Sequence, residues 1–355
     1  MKKYVSLLLV CFLIPGCAKQ EIIDRIKIVQ SIGLDVQGDT YKSSISYASY
    51  DKKKRLDPIT AEALTLPGVW LPQNTKSDDQ VVLGQVRTIV ISEKLARKSI
   101  SDLAVNLLRD PTISNNAAIV ISKPEISTVI SKTFRDPPFY LAGLIKQNME
   151  KGNTPLTNAH YVLDQFYGEG QDVYVPVLNL DENGLIFMDG LGVFKDDKLR
   201  LFLTQKESLL LKLLKDKPKS MSGSYEFKWR NDEAVYFRVL HGRRKILFEQ
   251  NDQVTISLKL YLQIKGLPKN KNYENKSNLL ELEQDIKQHL TNEFEVMLKK
   301  FQMNDVDPIG FGEIFRSNHR DWNEQEFKKD TYSKLYFEVN PEIVILYSGV
   351  GVSAQ

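Results

Sequence analysis

The hydrophobic pattern changes period several times along the chain, and each change marks an expected element. From Ile22 to Tyr50, "IKIVQSIGLDV" and "TYKSSISYASY" flank "QGD". Gly38 there supplies the positive φ that a tight turn wants, so the spacing predicts a β-hairpin. Residues 51–80 break the pattern with a charge run and with Pro58, Pro67 and Pro72. They read as a long surface loop, with Trp70 as its one candidate for contacting a partner. Next come a strand from Thr88 to Ile91, a helix capped by Ser92, helical turns from Ser101 to Arg109 that stop at Pro111, and a strand from Ala117 to Ser122. That β-α-β order predicts a sheet covered by helices.

Helices are expected over 139–149 and 156–166, and a strand in "DVYVPVLNL". The stretch "NGLIFMDGLGVFKDDKLRLFLTQKESLLLKLLK" reads strand, turn at Asp196 and Asp197, strand, then a leucine-rich helix. After Pro218 the segments "SYEFKWR", "AVYFRVL", "KILFE" and "QVTISLKLYLQI" alternate apolar with charged residues, as antiparallel strands with one wet face do. A long helix over 278–303 places Leu282, Ile286, Leu290, Phe294, Met297, Leu298 and Phe301 on one face, which predicts core packing, with a helix lying on a membrane as the other reading. The closing "KLYFEVNPEIVILYSGV" is an edge or central strand. The whole is an α+β, multi-domain protein with mixed and antiparallel sheets, each covered by helices. Its expected divisions are 1–16, a signal segment; 17–185, an N-terminal α+β domain; 186–222, a small strand-strand-helix module; and 223–355, a C-terminal α+β domain with the long helix.

The amino terminus changes the picture of location. Lys2 and Lys3 precede an apolar run from Tyr4 to Ile14, roughly half the ~20 residues a membrane-spanning helix needs. "LIPGC" then fits a lipoprotein signal, in which Cys17 takes diacylglycerol on its thiol and becomes the first residue after cleavage. Cys11 would be discarded with the signal. An ordinary secretory signal with a free Cys17, or an uncleaved anchor, are the other readings. With Lys2 and Lys3 removed from the 48 basic residues, the 45 acidic ones all but balance what is left, which argues against nucleic acid as main partner. The basic tracts "KDDKLR" and "HGRRK" (His241 to Lys245) read as a solvated turn or strand end, or as a contact for lipid phosphates or an acidic partner.

Catalytic chemistry is not legible. His160, His241, His289 and His319 have no metal-ligand spacing, and neither P-loop, G-x-S-x-G nor H-E-x-x-H occurs. The pairs Asp78 with Asp79 and Asp196 with Asp197 sit in polar turns. "GLG" at Gly190 to Gly192 lacks the third glycine of a dinucleotide loop and is better explained by a bulge or a close chain crossing. The expectation is no enzyme, no cofactor and no metal.

Several motifs together resemble the Ger(x)C lipoproteins, the C-type subunits of GerA-type spore germination receptors. They are the cysteine followed by Glu21 and Ile22, "IVQSIGLD", "QVRTIVISEKLARKSISDL", "GLGVFKDDKLRLFLTQKES" and "GFGEIFRSNHRDWN". The resemblance implies an elongated α+β molecule of three domains and a non-enzymatic subunit held by Cys17 on the outer face of the spore inner membrane. It also implies action with A-type and B-type membrane subunits in the response to nutrient germinants. The competing class is a lipid-anchored substrate-binding protein of a transporter, which predicts two lobes of repeated β-α-β units; an envelope hydrolase would need a site the sequence does not display.

Overall fold

The computed structural model describes residues 26–48, 57–134, 139–229, 233–250, 252–266 and 275–348. The signal segment and Cys17 lie outside these residues.

A nine-stranded sheet runs in the order β3-β2-β1-β5-β6-β7-β8-β9, with β4 also on β1. The hairpin is formed by β1 (Ile26–Gln37) and β2 (Thr40–Ala48), antiparallel through a two-residue turn. Gly38 there has φ +59°. Strand β3 (Ile59–Ala63) extends the edge; a short helix α1 (Trp70–Thr75) returns the chain to β4 (Gln80–Val82), parallel to β1.

The expected loop of 51–80 is therefore, from Pro58 onward, a strand-helix-strand cover. Ile59 and Ala61 alternate inward, Leu66 and Val69 are buried, and Trp70 packs partly buried on the core. Its prolines sit at strand and helix starts, where no ladder donor is lost.

Strands β5 (Thr88–Ser92) and β6 (Ala118–Ser122) are parallel neighbours. Helix α2 (Glu93–Lys98) lies between them in sequence, capped by the Ser92 hydroxyl on the Leu95 amide. Both strands are buried on two faces, which explains why they read as unbroken apolar runs. Ile89, Ile91, Ile119 and Ile121 face one core with Leu95 and Ala96. Val90 and Val120 face another, made by α3 (Ile126–Lys132) and α4 (Tyr140–Lys151). Helix α5 (Ala159–Tyr167) and β7 (Tyr174–Leu180) follow, then the antiparallel pair β8 (Ile186–Lys195) and β9 (Lys198–Leu203).

The strands of 186–222 thus continue the first sheet. Leu191, Val193, Leu201 and Leu203 turn one face of them into the core of the second half. Helix α6 (Gln205–Lys215) starts with a Thr204/Glu207 capping box and buries its leucines there too.

The second sheet runs β10 (Gly223–Lys228), β11 (Ala234–Phe248), β12 (Gln253–Gly266), β13 (Tyr336–Ser348). "AVYFRVL" and "KILFE" are one strand, so "HGRRK" lies in mid-strand rather than at a turn or strand end. The run is held there because His241 stacks on Tyr261 at 4.3 Å and Arg244 donates to the Asp216 carbonyl at 2.5 Å. The first two pairings are antiparallel, but β13 is parallel to β12 after the crossover of α7 (Lys276–Met303). All seven apolar residues expected on the buried face of α7 are buried. β13 is an edge strand, where Pro341 is tolerated.

Candidate functional site at the junction of the two halves

The β8–β9 turn, Lys195 to Lys198, is where distant motifs meet. Asp196 takes φ +54° to make the turn. The Asp197 carboxylate accepts from the hydroxyls of Ser99 at 2.5 Å and Ser101 at 2.9 Å, and its carbonyl accepts from the Ile100 amide at 2.8 Å. Burial pushes the Asp197 carboxyl up, but the two hydroxyls, its own backbone amide and the charge of Lys198 together outweigh it and hold it below the ordinary range. On the other side Lys195 pairs with Asp305 at 2.9 Å, and Lys328 pairs with Glu324 at 3.0 Å and reaches Asp196 at 3.9 Å. The tract expected as a solvated turn is clamped from both halves.

A second clamp joins the loop "GEGQD" (168–172) to "DPIGFGE" (307–313). The Gly170 carbonyl accepts from the Glu313 amide at 2.9 Å, and the Gly170 amide donates to Glu324 at 2.9 Å. Gly170 has φ +75°, and a Cβ there would sit 2.4 Å from the Gly312 carbonyl carbon. Only glycine fits this approach.

Asp172 and Asp307 hold each other: the Asp172 amide donates to the Asp307 carbonyl at 2.9 Å, and the Asp307 amide donates to the Asp172 carboxylate at 2.6 Å. The Asp307 carboxylate in turn accepts from the amides of Gly310 at 2.8 Å and Gly312 at 2.9 Å. Burial pushes the Asp172 carboxyl up to about 6, against the opposing pull of the Asp307 amide, Lys195 and Lys328. Burial raises Asp307 as well, and it lowers Lys215, whose ammonium donates to the Ile309 carbonyl at 2.9 Å.

Asp172, Asp196, Asp197, Glu324 and Lys328 line a small polar cleft of about 220 Å³. Their oxygens are engaged by amides, hydroxyls and lysines of the same chain, an arrangement suited to locking two halves together. Among the described residues no three His, Cys, Asp or Glu side chains come together to hold a metal.

The remaining sequence candidates are dispersed. His289 stacks on Phe227 at 4.0 Å, His319 on Phe315 at 3.6 Å, and His160 neighbours Tyr161. Asp78 and Asp79 pair with Lys27. Gly190 is the expected bulge and crossing: Pro176 and Leu178 of β7 face Leu191 and Met188 of β8, φ is +99°, and a Cβ would lie 1.9 Å from the Leu203 carbonyl oxygen. Sequence reasoning missed Asp172 and Asp307; the signal available was an aspartate beside closely spaced glycines in "GEGQD" and "DPIGFG".

Fold and junction define a two-sheet α+β protein whose halves are pinned by a polar lock. The solved structure described as the GerBC protein shares the fold, with a TM-score of 0.59 over 89% of this chain and 96% of that one at 18% identity. The family model described as "Spore germination protein N-terminal domain" matches residues 19–180, and the one described as "Spore germination B3/ GerAC like, C-terminal" matches 189–349. Spore germination protein GerQC of Bacillus cereus is 27% identical, covering 99% of both chains. The chain belongs to the Ger(x)C, or GerAC-like, family of spore germination proteins. The first family model ends with β7 and the second begins inside β8, the adjacent strand of the same sheet.

Proposed function

We propose that this chain is a lipid-anchored, non-catalytic C-type subunit of a spore nutrient germinant receptor, held by Cys17 on the outer face of the spore inner membrane and working with A-type and B-type membrane subunits. The observation that carries the reading is the pair of spore germination models spanning 19–180 and 189–349 behind a lipoprotein-type "LIPGC". Among the described residues no helix is long and apolar enough to cross a membrane, so attachment in this reading falls to Cys17.

Two acyl chains on one residue, at ~0.8 kcal/mol per buried CH₂, give stable anchoring where a single chain is reversible. Tethering raises the effective concentration of the body at its membrane partners, so modest contacts suffice. A transporter's substrate-binding protein is not favoured, because both halves match germination models and the second is a largely antiparallel sheet crossed by one long helix. Fatty-acid labelling and membrane fractionation of Cys17→Ala test the anchor: label and membrane association should both be lost. Equal labelling of variant and wild type would sink it.

A further inference from the structure

We propose that a second site, a cavity between the loops before β5 and β6 and helix α4, binds a small carboxylate carried on an apolar body. The cavity holds about 600 Å³, within the range of roughly 300–1,000 Å³ typical of small-molecule sites. It opens where the loop before β5 and the loop before β6 face α4 and the start of α5, and it shares no lining residue with the junction cleft. This inference stands apart from the receptor reading and does not need the lipid anchor.

Lys146 and Glu150 also line the cavity and pair with each other at 3.8 Å, which leaves three features to recognise a ligand. Its walls are apolar where Ile145, Met149 and Leu156 meet, and Leu156 is left substantially exposed. Such a surface gains from covering by an apolar body.

At the rim stands Arg87, its guanidinium held over the Phe139 ring at 4.0 Å. Among the described residues Arg87 has no carboxylate partner. Stacking fixes the plane of the guanidinium while leaving its donors free, which is the state in which arginine takes a carboxylate through two parallel hydrogen bonds.

The third feature is inside. Thr157 lines the cavity at 1% exposure, and its hydroxyl finds no hydrogen-bond partner among the described residues. A buried hydroxyl left so costs about 1–3 kcal/mol. Native folds retain that cost where a ligand or an ordered water supplies the missing bond. A carboxylate on Arg87, an apolar body on Ile145, Met149 and Leu156, and a polar group reaching Thr157 satisfy all three features at once.

The test uses the purified protein and a panel of straight and branched carboxylic acids of about four to eight carbons, with and without a hydroxyl, each beside its neutral primary amide. Ligand-observed saturation-transfer NMR gives affinity, and methyl signals of Ile145 and Met149 give location. The expected result is saturable binding of one or more carboxylates at those methyls, with the matching amide weaker by about tenfold or more. Arg87→Gln, an exposed change that leaves the melting curve in place, should erase the preference for acid over amide. Thr157→Val should weaken the best hydroxylated probe by about fivefold while leaving the melting temperature unchanged or raised. No saturable carboxylate binding, binding that ignores the charge, or a preference that survives Arg87→Gln overturns the proposal.

Discussion

Replacing Asp172 by Asn should make the protein more stable at neutral pH, although it removes a carboxylate from a cluster holding two lysines. In the folded chain burial holds the Asp172 carboxyl up to about 6, whereas a free carboxyl titrates near 3.8. Folding therefore takes up a proton between those values. The contribution of this group is fully present below pH 3.8 and is lost as pH rises through 6. The difference amounts to about 3 kcal/mol, a large share of the roughly 5–15 kcal/mol that keeps a domain folded.

Asn copies the protonated form: its carbonyl can accept from the Asp307 amide as the carboxylate does at 2.6 Å. Urea unfolding of wild type and Asp172→Asn at about pH 4 and about pH 7.5 measures the effect. The two proteins should be nearly equal at the lower pH, and the variant should lead by about 2–3 kcal/mol at the higher. Asp216, pushed up to about 6 by burial, titrates in the same window in both proteins and cancels in the comparison. A variant that is weaker at pH 7.5, or a gap that does not widen with pH, would refute the reasoning.

Two further outcomes follow from packing. Gly170→Ala should lower stability by roughly 2–4 kcal/mol through its clash with the Gly312 backbone and its positive φ, whereas Gly143→Ala, on α4 with open space around it, should be neutral or gain up to ~1 kcal/mol. Thermal melts of the pair decide it, and equal shifts would count against the close approach. Phe301→Ala, at the buried end of α7, should cost about 3–5 kcal/mol, while Val296→Ala on the exposed face of the same helix should stay within ~0.5 kcal/mol.

What could be read from sequence was whatever repeats locally. The seven buried residues of α7 follow from their three- and four-residue spacing, and β5 and β6 from unbroken β-branched runs. The cover from Pro58 to Val82 escaped because its prolines and charges look like a loop, while its order comes from β2 and the core beneath it. "HGRRK" escaped because five residues without one apolar side chain hide a strand, in which His241 stacks on Tyr261 and Arg244 donates to the Asp216 carbonyl. The junction was illegible for another reason. Ser99 meets Asp197 across 98 positions and Asp172 meets Asp307 across 135, so no local spacing announces either contact.

The same long-range logic ties the cavity to the second half of the molecule. Lys212 of α6, fully buried, donates to the carbonyls of Met149 at 2.6 Å and Gly152 at 2.9 Å, and the Asp216 carboxylate accepts from the Leu156 amide at 3.1 Å. The 149–157 segment, which forms the back wall of the cavity, therefore hangs from a helix whose leucines lie in the other core. Burial pushes Lys212 down to about 8, and the charge of Asp216 pulls the other way. Separating the halves would strand that ammonium and open the Leu191 and Val193 faces to water, so the wall of the cavity and α6 are held by the same set of contacts.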